Sequence, residues 1–267
     1  MAVASAGGDA VSRFATLVRA PNPGPMTLDG TNSYVLRAPG SPGVVVVDPG
    51  PSDAAHLRRL ADAGRVELVL LTHHHVDHSE ALAEFAAMAD APARAIDPAF
   101  CIGADPLHDS ERIEAAGLAL HVIATPGHTA DSACFVLPDD GEHGAVLTGD
   151  TVLGRGTTII ADPDGALGPY LHSLGRLRAL SAVGAGDGVT VLPGHGPVLP
   201  DLAEICDAYL AHRTERLQQI RAALDRLGAD ASTGAVTDLV YTDTDASVRS
   251  AAEASVRAQL RYLRGTA

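Results

Sequence analysis

The chain has 267 residues, enough for one large domain or one with a small appendage, and 46% are hydrophobic, enough for a sizeable core without Trp and with only 3% aromatics. Its formal charge is −14 and, histidine aside, every basic residue is Arg, which argues against a general binder of nucleic acid or of anionic membranes. Cys101, Cys134 and Cys206 are too few and scattered for a disulfide framework or thiolate zinc site; with no apolar run near membrane-span length and no signal peptide evident at Met1–Ala10, a reduced, cytoplasmic setting away from membranes is expected.

Pro21 to Pro25 alternates proline with other residues and reads as a loop. Strands are expected at Asn32–Arg37 and, after a turn at Ala38–Gly43, at Val44–Val47. Ser52 or Asp53 can cap a helix to about Ala63, Val66–Leu71 is the next strand, and Ser79 can cap a helix to about Ala89. Short strand signals follow at Ala93–Ile96, His121–Ile123, Ala133–Leu137, Ala145–Thr148 and Val189–Leu192, with a helix at Pro169–Ala182. From about Pro200 the pattern turns helical. Leu202, Ile205, Tyr209, Leu217, Ile220, Leu224 and Leu227 form one stripe, a short helix spans Ser232–Tyr241, and Val248, Ala252, Val256, Leu260 and Leu263 form a last stripe. Mixed strands and helices followed by helices alone imply a layered sheet-and-helix domain with a helical appendage.

Thr72 to His78, reading Thr-His-His-His-Val-Asp-His, concentrates metal-ligating groups. In an extended segment alternate side chains share a face, so His73, His75 and Asp77 would point together, His74 away, and His78 would swing back at the turn. Other candidates stand beside or close to glycine, each just beyond an apolar strand: Asp48, His128, Asp150 and His195. Strand-end loops are rooted in a rigid sheet and suit site building. Without Asp48, the candidates number seven, too many for one tetrahedral zinc but suited to two metals sharing a carboxylate.

This order of HxHxDH, His, Asp and His resembles the metallo-β-lactamase superfamily. The resemblance implies one metal on His73, His75 and His128, a second on Asp77, His78 and His195, and Asp150 as the bridge. Asp48 would stand behind them, accepting a proton from a ligand histidine. It implies an α/β fold, an αββα sandwich over residues 1–199, with a small helical, winged-helix-like domain over 200–267. The segments at Asp29–Tyr34, Gly154–Thr158, Pro193–Pro197 and His212-Arg213 are similar to the β-lactamase-like protein 2 group, some of whose members are single-strand-specific endoribonucleases. Two features depart from that group: Ser79-Glu80-Ala81 follows the DH where a Gly-rich step is usual, and little length remains for a β wing.

Imidazole and carboxylate donors suit zinc, with manganese or iron tolerated. Two metals about 3.5–4 Å apart would hold a hydroxide as nucleophile, and Asp77 could take its proton. The expected activity is hydrolysis, with phosphodiesters of single-stranded RNA as first substrate and a glyoxalase II-like thioester or small ester or lactone as the alternative. Tyr34, Arg155, Thr157, Thr158, Tyr170 and His172 are candidates for the substrate walls. Residues 1–211 carry 11 Arg against 26 acids, whereas 212–267 carry 8 Arg against 7, so the tail could dock a partner through Arg249, Arg257, Arg261 and Arg264 or simply buttress the site. The oligomeric state is left open. There is no GxSxG motif, no nucleotide-binding fingerprint and no glutamate in the middle of the metal motif.

Overall fold

The computed structural model describes residues 8–160, 162–183, 188–242 and 249–265. One sheet is built in chain order from β1 (Asp9–Ala10), β2 (Ala15–Arg19), β3 (Asn32–Leu36), β4 (Gly43–Val47), β5 (Arg65–Leu70) and β6 (Ala93–Arg94). The other contains β7 (Arg112–Ala115), β8 (Leu118–Ala124), β9 (Ala133–Leu137), β10 (Ala145–Gly149) and β11 (Thr190–Pro193), ordered 11-10-9-8-7. β4, β5 and β6 run parallel, as do β10 and β11, and the remaining neighbours are antiparallel.

The Val44–Val47 run explains the layering. Val45 and Val47 face the second sheet and pack with Leu68, Leu70, Leu120, Phe135 and Leu147. Val44 and Val46 face the other way, against Leu57, Leu60 and Phe85 on α1 (Ala54–Ala61) and α3 (Leu82–Ala89). A strand covered on both faces can be apolar throughout. The second sheet's outer face, including Val146 and Val191, packs on α4 (Leu167–Val183) and the first half of α5 (Leu202–Leu227). The result is the αββα sandwich. Beyond about Ile220, α5 forms a small separate core with α6 (Thr233–Val240) and α7 (Arg249–Arg264), through Ile220, Val236, Val256 and Leu260. Val248, the first residue of the expected last stripe, lies outside the described residues. No described helix is long and apolar enough to cross a membrane.

Asp53, rather than Ser52, caps α1, its Oδ1 accepting from the backbone N–H groups of Ala55 and His56. Ser79 does not act as the expected cap. It ends a one-turn helix, α2 (Val76–Ser79), and its hydroxyl donates to the His74 carbonyl at 2.7 Å. β2 and β7 carried no recognised strand signal. β7 is a short strand at the end of its sheet with only Ile113 buried, so apolar patterning hardly marks it.

Burial pushes the Cys134 thiol up to about 11 and the Cys206 thiol up to about 12, so neither is a thiolate near neutrality. Cys101 is only half-buried. Titration with Ellman's reagent at pH 8 is expected to label Cys101 fast and the other two only on unfolding; rapid reaction of all three in the folded protein would contradict this packing.

Candidate metal centre

The candidate ligands follow the C-terminal ends of strands. β4 delivers Asp48, β5 the 72–78 segment, β8 the loop to His128, β10 Asp150 and β11 His195. The chain leaves β5 at Leu70, stays irregular through His75 and then makes one helical turn, with His78 N–H donating to His75 O at 2.9 Å. This corrects the extended reading of the motif. His73 and His75 do point together, but the turn carries Asp77 away from them to stand beside His78. His74 points elsewhere, its Nδ1 lying 2.8 Å from Asp131 Oδ1.

Two groups of donor atoms result. In the first, His75 Nδ1 lies 3.1 Å from His73 Nε2 and 3.0 Å from His128 Nε2. In the second, His195 Nε2 lies 3.1 Å from both His78 Nε2 and Asp77 Oδ2. The Asp150 carboxylate sits between them. Its Oδ1 is 3.5 Å from His78 Nε2, and its Oδ2 is 3.7 Å from His128 Nε2 and 3.5 Å from His195 Nε2. His73, His78 and Asp150 form a further set of donors within 4.8 Å of one another.

Groups behind the donors decide how the rings present themselves. His128 Nδ1 faces Ile159 O at 2.6 Å, and His195 Nδ1 faces Gly30 O at 3.3 Å. His78 Nδ1 faces Asp48 Oδ2 at 2.9 Å. His73 Nδ1 lies 3.0 Å from Thr72 Oγ1, whose hydroxyl donates to Asp48 Oδ2 at 2.7 Å. Each of these partners can accept a proton from the outer nitrogen, which leaves the inner nitrogen of all four rings free to ligate. Asp48 therefore orients one histidine from each group. Its Oδ1 also accepts from Thr72 N at 2.7 Å, and its backbone is left-handed at φ 53°.

Burial drives the His73 imidazole well below its ordinary range, with His78 adding to the effect, and brings His75 down to about 4. Burial lowers His128 too. These three are neutral donors at pH 7. Burial opposes charge on His78 and His195, but the carboxylates together outweigh it, Asp150 with Asp48 for His78 and Asp150 with Asp77 for His195, and both are raised. Burial likewise opposes the Asp150 carboxylate, yet His78 and His195 hold it well below the usual range. Asp150 Oδ1 is buried without a hydrogen-bond partner. Convergent imidazole lone pairs, two carboxylates and that orphaned oxygen fit two divalent cations, with zinc, iron and manganese all compatible with the donor set.

A cleft of about 540 Å³ opens over this cluster, with His75, Asp77, His128 and Asp150 at its floor. Its walls are Pro25, Met26, Ile159 and Asp162, with Ser250, Ala251 and Ala254 from α7. None of the six expected wall residues lines it. Tyr34, Thr158 and Tyr170 are buried, and their hydroxyls donate to backbone carbonyls of Pro193, Asp150 and Thr151 respectively, so they brace the loops from behind. Arg155 is exposed and pairs with Asp29 at 3.2 Å, and His172 is exposed on α4. Thr157 and Thr158 line a neighbouring cavity.

Sequence reasoning missed Thr72, Met26, Asp162 and the start of α7. Thr72 was legible in principle, because it directly precedes the first ligand. The α7 residues were not, being about a hundred positions downstream of Asp150. Asp162 ties this edge together, pairing with Arg261 at 3.0 Å and Arg257 at 3.4 Å. Arg249 pairs with Asp238 at 2.7 Å, and Arg264 donates to the carbonyls of Ala229 and Ala231. All four arginines of the last helix thus have partners within the chain.

Residues 26–195 match the model of the metallo-beta-lactamase superfamily. The chain is 32% identical over 267 residues to the beta-lactamase-like protein 2 homolog of Caenorhabditis elegans, covering 96% of this chain and 84% of that protein. It is 34% identical to an atrochrysone carboxyl ACP thioesterase of Paecilomyces divaricatus over 78% of this chain. It spans 62% to 64% of the length of this and a lactamase-like fungal relative. A metallo-beta-lactamase family protein of Thermus thermophilus shares its fold at a TM-score of 0.76, with 24% identity, 96% of this chain and 95% of that one covered. With the superfamily match spanning well over half of its length, the chain belongs to the metallo-beta-lactamase superfamily.

Proposed function

We propose that the protein is a metal-dependent hydrolase of small acyl esters, with a thioester as its substrate class. Divalent metals held by His73, His75 and His128 and by Asp77, His78 and His195, with Asp150 between, would supply an activated water and polarise the scissile carbonyl. The chain supplies the rest. Asp48 and Thr72 hold the imidazole tautomers, and Asp77, at the cleft floor, can accept a proton released by the attacking water.

The observation that carries the substrate class is the cleft wall. Pro25, Met26, Ile159, Ala251 and Ala254 present apolar surface, beside the polar Asp162 and Ser250, and among the described residues no arginine lines the cleft. An apolar acyl group fits such walls. A polynucleotide would bring a run of phosphates to walls that carry a carboxylate, Asp162, and no arginine, in a chain of formal charge −14. RNA, the first expectation from the sequence, therefore becomes the second reading. The thioesterase among the relatives supports the same order.

The test is a panel of single-stranded RNA, an acyl thioester, a lactone and a cephalosporin analogue, offered to metal-replete protein. The thioester should turn over, and Asp77→Ala should lower its kcat by about 100-fold or more, the range of lost acid-base and positioning effects. Cleavage of RNA with an inert thioester would reverse the assignment.

A further inference from the structure

A second cavity, of about 190 Å³, lies behind the Ile159 wall, between the 157–159 segment, α5 and α7. It shares Ile159 and Ala251 with the cleft. His212, Arg213 and Arg216 line it, and among the described residues no carboxylate does. Two guanidinium groups without an acid run against the trend of so acidic a chain.

Among the described residues, no carboxylate neutralises these cations. Arg213 is 2% exposed; its guanidinium donates to the Thr158 carbonyl and lies 5.1 Å from the Tyr170 ring centroid, and its Nε is buried without a hydrogen-bond partner. His212 Nδ1 is buried and unpartnered as well. Arg216 donates to Gln219 Oε1 at 2.7 Å and stacks over Tyr241 at 4.4 Å. Among the described residues no carboxylate pairs with Arg213 or Arg216. Burying a cation and its donors unsatisfied is unfavourable, and a ligand that brings acceptors offsets it. Guanidinium forks match the oxygens of a phosphate.

We infer that this cavity is an anion subsite that takes a terminal phosphate monoester, with Arg213 and Arg216 donating to its oxygens and His212 beside them. Its relation to the cleft suggests whose phosphate it is. The Ile159 carbonyl faces His128 Nδ1, and the adjacent Thr158 carbonyl accepts from Arg213. One two-residue stretch thus separates a candidate metal ligand from the cationic cavity. Resting on the thioester reading, the phosphate would belong to the thiol half of the substrate, anchored here while the acyl carbon lies over the cluster. A free phosphate compound would satisfy the same donors, and the experiment separates the two.

Arg216 is the residue to change, because Arg213 is part of the core. Inorganic phosphate would be titrated into metal-loaded wild type and Arg216→Gln while the His212 ring resonances are followed. Binding that shifts His212 in the wild type and weakens at least tenfold in Arg216→Gln supports the subsite. Phosphate that leaves His212 unmoved, or acts on both proteins alike through the metals, overturns it. The second arm compares KM for an acyl-pantetheine with that for the same compound carrying a 4′-phosphate. The phosphorylated thioester should have a KM at least tenfold lower in the wild type, with the preference reduced in Arg216→Gln and partly restored in Arg216→Lys. Equal KM values alongside intact phosphate binding would assign the cavity to a free phosphate compound and overturn its role in substrate positioning. Should neither thioester turn over, the ester reading fails, while the phosphate titration still decides the subsite.

Discussion

Gly194→Ala is expected to lower kcat by about 100-fold or more and to reduce the metal bound per chain, although Gly194 is not itself a ligand. A Cβ at this position would sit 2.5 Å from Asp150 Oδ1, 2.8 Å from His78 Cε1 and 3.0 Å from the Gly149 carbonyl carbon. The loop cannot retreat to make room. Gly194 N–H donates to Gly149 O at 2.8 Å, and Gly194 O accepts from Asn32 N at 2.8 Å. The methyl group must therefore displace Asp150 or His78, one of which stands between the two donor groups while the other belongs to the second. Elemental analysis of the purified variant with a kcat measurement checks this. Full metal content with unchanged kcat would show that Asp150 and His78 do not hold metal in this geometry.

Asp48→Asn should weaken metal binding by about 10- to 100-fold, the usual consequence of removing a partner behind ligating histidines. The substitution isolates the charge. Asn keeps the size of Asp and tolerates the left-handed backbone at φ 53°. What it loses is an acceptor. Asp48 receives Thr72 N, Thr72 Oγ1 and His78 Nδ1 on two oxygens, and an amide can offer only one. An NH₂ group turned toward His78 would favour a proton on Nε2, the atom meant to ligate. An NH₂ group turned toward Thr72 N would oppose a backbone donor. Competition against a chromophoric chelator reads the affinity directly. An Asp48→Asn protein that retains wild-type affinity would remove Asp48 from this role.

Much of the site was legible in the sequence because its chemistry is local in type even though its members are far apart. His73, His75, Asp77 and His78 lie within six positions, and His128, Asp150 and His195 each follow an apolar strand and stand beside glycine. Helical periodicity likewise exposed α5 and α7, and the continuous Val44–Val47 run read as a buried strand. Tyr34, Thr158 and Tyr170 were expected at the substrate walls. In the fold their hydroxyls face inward to backbone carbonyls, because a buried loop carbonyl needs a donor and these side chains supply it.

Residue types and their spacing along the chain determined the donor set and the layered α/β architecture, since ligand chemistry and strand or helix period are properties of local composition. Only the tertiary structure decided which donors group together, because the single turn of α2 rotates Asp77 out of the plane that alternation had assigned to it. Only the tertiary structure, too, brought the start of α7 over the cleft and put Arg213 and Arg216 behind its wall. Those placements depend on how α5 and α7 pack against the sandwich, and contacts between distant segments leave no periodic trace in a sequence.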